Sequence, residues 1–219
     1  MDSHDILTIN VAAATHGRVL ARRAPHPAGV LAGFHGYYEN ADIQLARLAA
    51  VPAADRWTLV SIQGLHRFYR ARTEDVVASW MTRQDRELAI ADNIAYVDSA
   101  IAAALDGAAP PALVCAGFSQ GVAMAFRAAV RGRARASGII AVGGDVPPEL
   151  LADPGTRFPP VLLVRGAQDD YYPPPMFEGN IAALRNRGTD VTTVIVDAAH
   201  DWTSEVSDAA ARFLERIHS

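Results

Sequence analysis

Short apolar runs alternate along the chain with segments in which apolar residues recur every three or four positions. The runs are rich in β-branched residues and mostly bounded by Gly, Pro or Asp, as in strands covered on both faces. This alternation predicts an α/β fold with a mostly parallel central sheet and helices on both faces. The predicted central strands are AGVLAGF (28–34), WTLVSIQ (57–63), ALVCAGF (112–118), SGIIAVG (137–143), PVLLVRG (160–166) and VTTVIVD (191–197).

Five helices are predicted between and after these strands. The clearest carries Ile90, Ile94, Val97, Ile101 and Leu105 on one stripe, with Gly107 as a stop signal. The others cover residues 41–50, 120–130, 175–186 and 204–217. The Pro-rich pieces DVPPELLADPGTRFPP and DDYYPPPM are predicted to be loops.

The first residues predict an antiparallel hairpin at one edge of the sheet, formed by DILTINVA (5–12) and GRVLARRA (17–24). No internal repeat or long linker divides the chain. We therefore expect a single domain over residues 1–219.

The charge pattern argues against nucleic acid as a partner. The chain has 24 acidic and 20 basic residues and a formal charge of -4, with no sustained basic stripe to neutralise phosphates. Its one basic cluster consists of Arg127, Arg131, Arg133 and Arg135. We expect it at the C-terminal end of a helix, where positive charges interact favourably with the helix dipole. No window approaches the roughly 20 apolar residues of a membrane span, and no signal peptide is recognisable, so a cytoplasmic location is expected. The single cysteine, Cys115, is predicted to be a core residue.

Ser119 stands between Gly117 and Gly121, where a predicted strand meets a predicted helix. Gly-x-Ser-x-Gly in this context is the nucleophile elbow, a turn so tight that both flanking positions must be small. Ser119 is therefore the candidate nucleophile. A serine hydroxyl needs a histidine to take its proton and a carboxylate to orient that histidine.

Asp169 and His200 supply those groups in the order Ser, Asp, His, each directly after a predicted strand. Parallel sheets place their sites at the carboxyl ends of strands. Of the seven histidines, His200 lies after the candidate acid and before the last helix. Asp170 and Asp145 remain alternatives for the acid, whereas Asp197 and Asp201 flank His200 too closely to reach its far nitrogen.

Four pieces of sequence have the spacing of a known family: Leu31–Tyr38 with its His-Gly pair, GFSQG, RGAQDDYYP and AAHDW. Together they resemble the phospholipase/carboxylesterase family of serine hydrolases, which has the α/β-hydrolase fold and includes acyl-protein thioesterases. The resemblance runs from about residue 30 to the C-terminus. It implies that Asp169 is the acid, because Gly166, Asp169 and Pro173 match the family's Gly-x-x-Asp-x-x-aliphatic-Pro loop, although Tyr172 takes the aliphatic position.

Two backbone N–H groups are expected to hold the oxyanion of the reaction. One is the amide of Gln120, directly after the nucleophile. The resemblance implies the amide of Tyr37 as the second, from the family's His-Gly-x loop, with His35 bracing that loop. His66, Phe68, Trp80 and Tyr171 are candidate substrate contacts. Only Gly144–Pro160 is available for a cap, too short for a helical lid, so we expect an open, shallow site for small or solvent-exposed acyl groups.

These features predict a carboxylic-ester or thioester hydrolase that forms an acyl-enzyme. A dienelactone or other lactone hydrolase, an acyltransferase, a cofactor-free perhydrolase and a catalytically silent small-molecule receptor remain alternatives. No metal or nucleotide motif is present, so neither a metal nor a cofactor is expected. The oligomeric state stays open, with a homodimer among the options.

Overall fold

Strands and helices alternate through almost the whole chain in the computed structural model, which describes residues 6–218. In chain order the elements are β1 (Val19–Arg22), β2 (Gly29–Phe34), α1 (Ala41–Ala49), a 3₁₀ turn (Ala54–Arg56), β3 (Trp57–Ile62), β4 (His66–Tyr69), β5 (Val76–Ser79), α2 (Arg86–Ala104), β6 (Leu113–Phe118), α3 (Gln120–Arg131), β7 (Gly138–Val142), α4 (Pro148–Ala152), β8 (Val161–Gly166), α5 (Pro174–Arg185), β9 (Val191–Val196) and α6 (Ser204–His218).

Seven strands form one sheet in the order β1-β3-β2-β6-β7-β8-β9. All neighbours are parallel except β1, which runs antiparallel to β3 with Val19 opposite Ile62. All six predicted strands and all five predicted helices form. The predicted α/β-hydrolase fold, with a mostly parallel sheet, is thus confirmed.

Alternate residues of the central strands enter two separate cores, as the two-residue period of a strand requires. On one face Ala32, Cys115 and Leu163 pack against residues of α2, α3 and α5. On the other face Leu31, Val114 and Leu162 pack against residues of α1 and α6. The strands β2, β3, β6, β7 and β8 are buried along their whole lengths.

The predicted N-terminal hairpin is only half right. Its second arm forms β1, but β1 pairs with β3, and residues 6–12 of the first arm form no strand. Ile6, Leu7, Ile9 and Val11 are between 70% and 94% exposed. A strand needs a partner strand and apolar surface to cover, and the apolar side chains of this arm stay mostly exposed. Asp5, the first residue of the predicted arm, lies outside the described residues.

The last strand and two short segments also differ from the predictions. The run VTTVIVD forms β9, but β9 is the edge of the sheet and is half exposed, with Ile195 60% exposed. The Pro-rich stretch before β8, predicted as a loop, contains the five-residue helix α4. The antiparallel hairpin of β4 and β5 was not predicted.

The segment between β7 and β8 carries α4 as its one helix, so the expected absence of a large cap holds for this part of the chain. None of the helices between residues 6 and 218 has both the length and the apolar composition needed to cross a bilayer.

Replacing Ile6, Leu7, Ile9 and Val11 together by Ser is expected to change the free energy of unfolding by less than about 0.5 kcal/mol, because these side chains are already exposed. As a control, Leu59→Ala in the buried strand β3 is expected to cost about 2–5 kcal/mol. Urea unfolding followed by circular dichroism measures both. A loss in the quadruple variant comparable to that in Leu59→Ala would show that this arm is part of the core.

Candidate active site

Ser119 occupies a strained turn between β6 and α3. Its φ of 52° and ψ of -120° lie outside the regions that residues other than glycine usually adopt. The turn is held by dense backbone packing on both sides. A Cβ at Gly117 would lie 2.4 Å from the carbonyl oxygen of Gly121, and one at Gly121 would lie 2.0 Å from that of Phe34. Both positions therefore require glycine, as the elbow motif predicts.

His200 and Asp169 form a hydrogen-bonded pair beside this turn. His200 Nδ1 lies 2.8 Å from Asp169 Oδ2. The other carboxylate oxygen, Oδ1, accepts the backbone N–H groups of Tyr171 and Tyr172, each at 2.9 Å. These bonds fix the carboxylate, which is almost fully buried. When Nδ1–H donates to the carboxylate, Nε2 of His200 is left as an acceptor.

The pair lies next to Phe118, which precedes Ser119, and next to Gly143, which follows β7. The His200 ring lies 4.9 Å from the ring of Phe118, the residue before Ser119. A Cβ at Gly143, which follows β7, would be 3.0 Å from His200 Cε1 and 3.3 Å from Asp169 Oδ2. The amide of Ser119 donates to the carbonyl of Val142, the last residue of β7. The carboxyl ends of β6, β8 and β9 thus bring the three predicted residues to one edge of the sheet, and their joint catalytic role stays a prediction.

The other carboxylates near the site have different partners. Asp145 is exposed and accepts a hydrogen bond from the amide of Asn180 at 2.9 Å. Asp197 accepts from Gln168, and Asp201 accepts from the backbone N–H of Trp202. Within residues 6–218, Asp169 is the carboxylate bonded to His200.

His35 braces the loop after β2. Its Nδ1 lies 2.7 Å from the carbonyl oxygen of Gly36, and its Nε2 accepts the backbone N–H of Gly64 at 2.9 Å. Because Nε2 accepts, the ring is neutral with its proton on Nδ1. Burial lowers the pKa of His35 below its ordinary value of 6.5, which favours this neutral form.

The two predicted oxyanion donors lie at the ends of loops that are fixed by other groups. The backbone amides on either side of Tyr37 already donate hydrogen bonds. The Gly36 N–H donates to the Glu39 carboxylate, and the Tyr38 N–H donates to the carbonyl of Ala78. Within the part of the chain that the structure describes, no acceptor pairs with the Tyr37 amide. The Gln120 amide is the first of α3, where N–H groups have no partner in the helix. The role of both amides remains a prediction.

The side chain of Gln120 has a structural role that the sequence did not reveal. Its Oε1 accepts the backbone N–H of Trp80 at 3.0 Å, and its Nε2 donates to the carbonyl of Met81 at 3.1 Å. It also contacts the hydroxyl of Ser79. These bonds join the end of β5 to the turn at Ser119. The sequence alone gave no signal for a contact between positions 40 residues apart.

The four predicted substrate contacts have different surroundings. The ring of Tyr171 is exposed and lies 5.1 Å from the His200 ring. Phe68 packs 5.9 Å from Tyr37. His66 is exposed and lines a separate groove with Leu65 and Asp85.

Trp80 does not fit the prediction, because none of its surface is exposed. Its indole N–H donates to the carbonyl of His35 at 2.8 Å, and its ring packs against Phe34. Trp80 therefore supports the loop after β2 from inside the protein rather than contacting a substrate.

A groove of about 440 Å³ opens beside Ser119 between α3, the start of α2 and the loop before α4. The residues that line it include Met81, Arg83, Arg86, Arg127 and Asp145. Arg127 was predicted to belong to a basic cluster at the end of α3. It is instead 1% exposed and paired with Glu149 at 2.7 Å, because it lies one turn before the helix ends and faces α4.

The single cysteine does not offer a second nucleophile. Cys115 is fully buried in β6, and burial raises its pKa to about 12, which keeps the thiol protonated and unreactive. Residues 6–218 contain no group of three or more His, Cys, Asp and Glu side chains placed to hold a metal ion.

Comparison with known proteins identifies the family of the chain. The sequence profile of the Phospholipase/Carboxylesterase family matches residues 17–218. No curated protein sequence matches the chain significantly.

Several solved structures share the fold. Esterase PE8 is 24% identical with a TM-score of 0.69, and the match covers 92% of this chain and 98% of that one. The Bacillus cereus carboxylesterase is 17% identical with a TM-score of 0.68, covering 92% and 94% of the two chains. Acyl-protein thioesterase 2 of Zea mays is 18% identical with a TM-score of 0.72, covering 93% and 100%.

Gly121→Ala is expected to lower the free energy of unfolding by about 1–3 kcal/mol, because the new methyl group meets the Phe34 carbonyl at the β2–α3 contact. Gly179→Ala is the matched control. A Cβ at Gly179 on α5 meets nothing within 4 Å, so the substitution is expected to stabilise the protein by about 0.5–1 kcal/mol. Urea denaturation compares the two. Equal stability of Gly121→Ala and the wild type would contradict the tight packing.

His35 is expected to make the protein less stable as the pH falls from 7 to 5. Its pKa is lower in the folded protein than in the unfolded chain, so the unfolded chain takes up the proton first as the pH drops below about 6.5. His35→Gln should therefore show a smaller loss of unfolding free energy over this range. Carboxylates with lowered pKa, such as Asp42, lose their contribution only at lower pH.

Unfolding by urea at pH 7, 6 and 5 measures this effect. The exposed residue His26 provides a control, and His26→Gln should retain the wild-type slope. A pH dependence that is identical in His35→Gln and the wild type would contradict the buried neutral state of His35.

Proposed function

The chain belongs to the Phospholipase/Carboxylesterase family, and on this basis we propose that it is a serine hydrolase that cleaves carboxylic esters or thioesters. The proposal rests chiefly on the 2.8 Å hydrogen bond between His200 and Asp169 beside the strained turn at Ser119. Such a turn presents a serine hydroxyl above the sheet, and an oriented histidine is the base that this hydroxyl needs.

In the first half of the proposed reaction, Ser119 Oγ attacks the carbonyl carbon of the ester. His200 Nε2 takes the hydroxyl proton as the new C–O bond forms, and Asp169 stabilises the resulting imidazolium. The tetrahedral intermediate then collapses. The bond to the leaving alcohol or thiol breaks, His200 returns its proton to that leaving group, and the acyl group stays on Ser119.

In the second half, a water molecule attacks the acyl-enzyme. His200 takes one proton from this water as the second tetrahedral intermediate forms. The bond between the acyl carbon and Ser119 Oγ then breaks, His200 returns its proton to Oγ, and the carboxylic acid is released. In both halves the negative oxygen is stabilised by the backbone N–H groups of Gln120 and Tyr37. Each donor of this kind typically contributes about a hundred- to a thousand-fold in rate.

The surroundings of the site support small or solvent-accessible acyl groups. Tyr37 and Tyr171 are exposed at its entrance, and α4 is the one helix between β7 and β8. A lactone hydrolase or an acyltransferase would use the same acyl-enzyme. The lactone-cleaving relatives with cysteine at the elbow are disfavoured, because the elbow carries Ser119 and Cys115 is buried. A silent receptor would bind an ester without turnover.

Ser119→Ala and His200→Ala are each expected to reduce kcat by at least about 10³-fold on p-nitrophenyl esters, because members of a triad act as a unit. Asp169→Asn should cause a comparable loss, since the imidazole then loses the carboxylate that orients it. Asp170→Asn changes an exposed neighbouring carboxylate and should retain most activity. Comparable activity in Ser119→Ala and the wild type would refute the proposal. Full activity in Asp169→Asn together with loss of activity in Asp145→Asn would show that the catalytic acid is Asp145, in the loop after β7.

The class of substrate is resolved by initial rates on a fixed panel. The panel contains p-nitrophenyl esters of increasing chain length, an acyl thioester and a lactone. Turnover of the short esters or the thioester with little turnover of the lactone supports the hydrolase proposed here. Preferential lactone cleavage would favour the lactonase alternative.

A further inference from the structure

The groove beside Ser119 is lined by three arginines and one carboxylate. Arg83, Arg86 and Arg127 share this groove with Asp145, and Glu149 lies behind it as an ion-pair partner. The groove and its immediate surroundings thus contain three positively charged and two negatively charged side chains. The Asp145 carboxylate is further engaged by the Asn180 amide.

Arg127 is 1% exposed, yet its donors are incompletely satisfied. Its Nε donates to Glu149 Oε1 at 2.7 Å, whereas its Nη2 lies 2.7 Å from the same oxygen without the geometry of a hydrogen bond. Its Nη1 faces the sulfur of Met81 at 3.5 Å. A thioether is a weak acceptor, and a guanidinium has five N–H donors, so Arg127 keeps unused donor capacity at the buried wall of the groove.

Arg86 and Arg83 add to this capacity. Arg86 Nη2 lies 3.5 Å from Glu149 Oε2, and its Nη1 also faces Met81 at 3.5 Å. Two guanidinium groups therefore compete for one carboxylate and one thioether. Arg83 is exposed and has no ion pair within residues 6–218. Burial and the nearby Arg86 both lower the pKa of Arg127, so an added negative charge would relieve this cluster.

We propose that this groove binds a carboxylate carried by the substrate, several bonds away from the ester that Ser119 attacks. Arg127 lies eight residues after Ser119 on α3, a rise of roughly 12 Å, and helix side chains lean back toward the N-terminus. A carboxylate bound by Arg127 would therefore lie on the order of 10 Å from the nucleophile. The inference rests on the proposed function, and it names its substrates as esters bearing a remote carboxylate.

The test compares charged and neutral esters of equal chain length by pH-stat titration. Monoethyl adipate carries the charge on the acyl part and is paired with ethyl hexanoate. The butyrate ester of 4-hydroxybutyrate carries the negative charge on its leaving group and is paired with the neutral ester butyl butyrate. We expect kcat/KM to be at least about tenfold higher for a charged ester than for its neutral partner, the size of one charge-assisted hydrogen bond. The pair showing this preference identifies which part of the substrate lies in the groove.

Arg86→Gln and Arg83→Gln, singly and together, should remove this preference and leave kcat/KM for the neutral esters unchanged. Arg127→Lys is a second variant that keeps a buried positive charge while losing the planar fork. Arg133→Gln is the matched control, because Arg133 is highly exposed, pairs with Asp98 and lies outside this groove. It should retain the full preference.

The two proposals fail in distinguishable ways. Turnover of neutral esters without a preference for either charged ester, or a preference that survives Arg83→Gln/Arg86→Gln, would overturn the carboxylate site while the hydrolase stands. If no ester is turned over, the proposed hydrolase activity is refuted. Thermal unfolding in the presence of adipate then tests carboxylate binding in the groove independently of activity. Adipate, but not adipamide, should raise the Tm of the wild type and not that of the double variant, and no shift in the wild type overturns the site.

Discussion

The contact between the first turn of α3 and the end of β2 is the constraint on which the site depends. Gly121 lies so close to the Phe34 carbonyl that any side chain would displace one element from the other. This contact forces the chain to reverse at Ser119 with a positive φ, which a serine adopts only when its surroundings impose it. The strain is thus held by packing, and it fixes the hydroxyl and the first amide of α3 relative to the sheet.

Backbone groups, rather than side chains alone, fix the other parts of the site. Asp169 is oriented by two amides of its own loop, which leaves one carboxylate oxygen for His200. His35 connects the loop after β2 to Gly64, and Gln120 connects the end of β5 to α3. Buried polar groups that are satisfied in this way form a rigid support for an open site. Arg127 is the exception, and its unsatisfied donor supports the proposal of a charged substrate.

The sequence predicted those features that follow from local periodicity and from tight turns. The apolar runs identified the six strands, and the glycines around Ser119 identified the elbow because their spacing has a steric cause. The position of His200 after a strand identified the partner of Asp169. The features that the sequence did not predict depend on tertiary neighbours. The first arm of the predicted hairpin forms no strand, because β-propensity alone does not order a segment whose side chains stay exposed. Trp80 is buried against Phe34, and its indole N–H bonds to the carbonyl of His35, which lies far away in the sequence.

The proposed reaction depends above all on activation of Ser119 by His200. The most direct measurement is labelling of the folded protein by a fluorophosphonate, followed by intact mass and peptide mapping. We expect one adduct per chain, on Ser119, formed far faster in the wild type than in His200→Ala. No adduct on the folded wild-type protein, or a rate on Ser119 that is the same without His200, would contradict it.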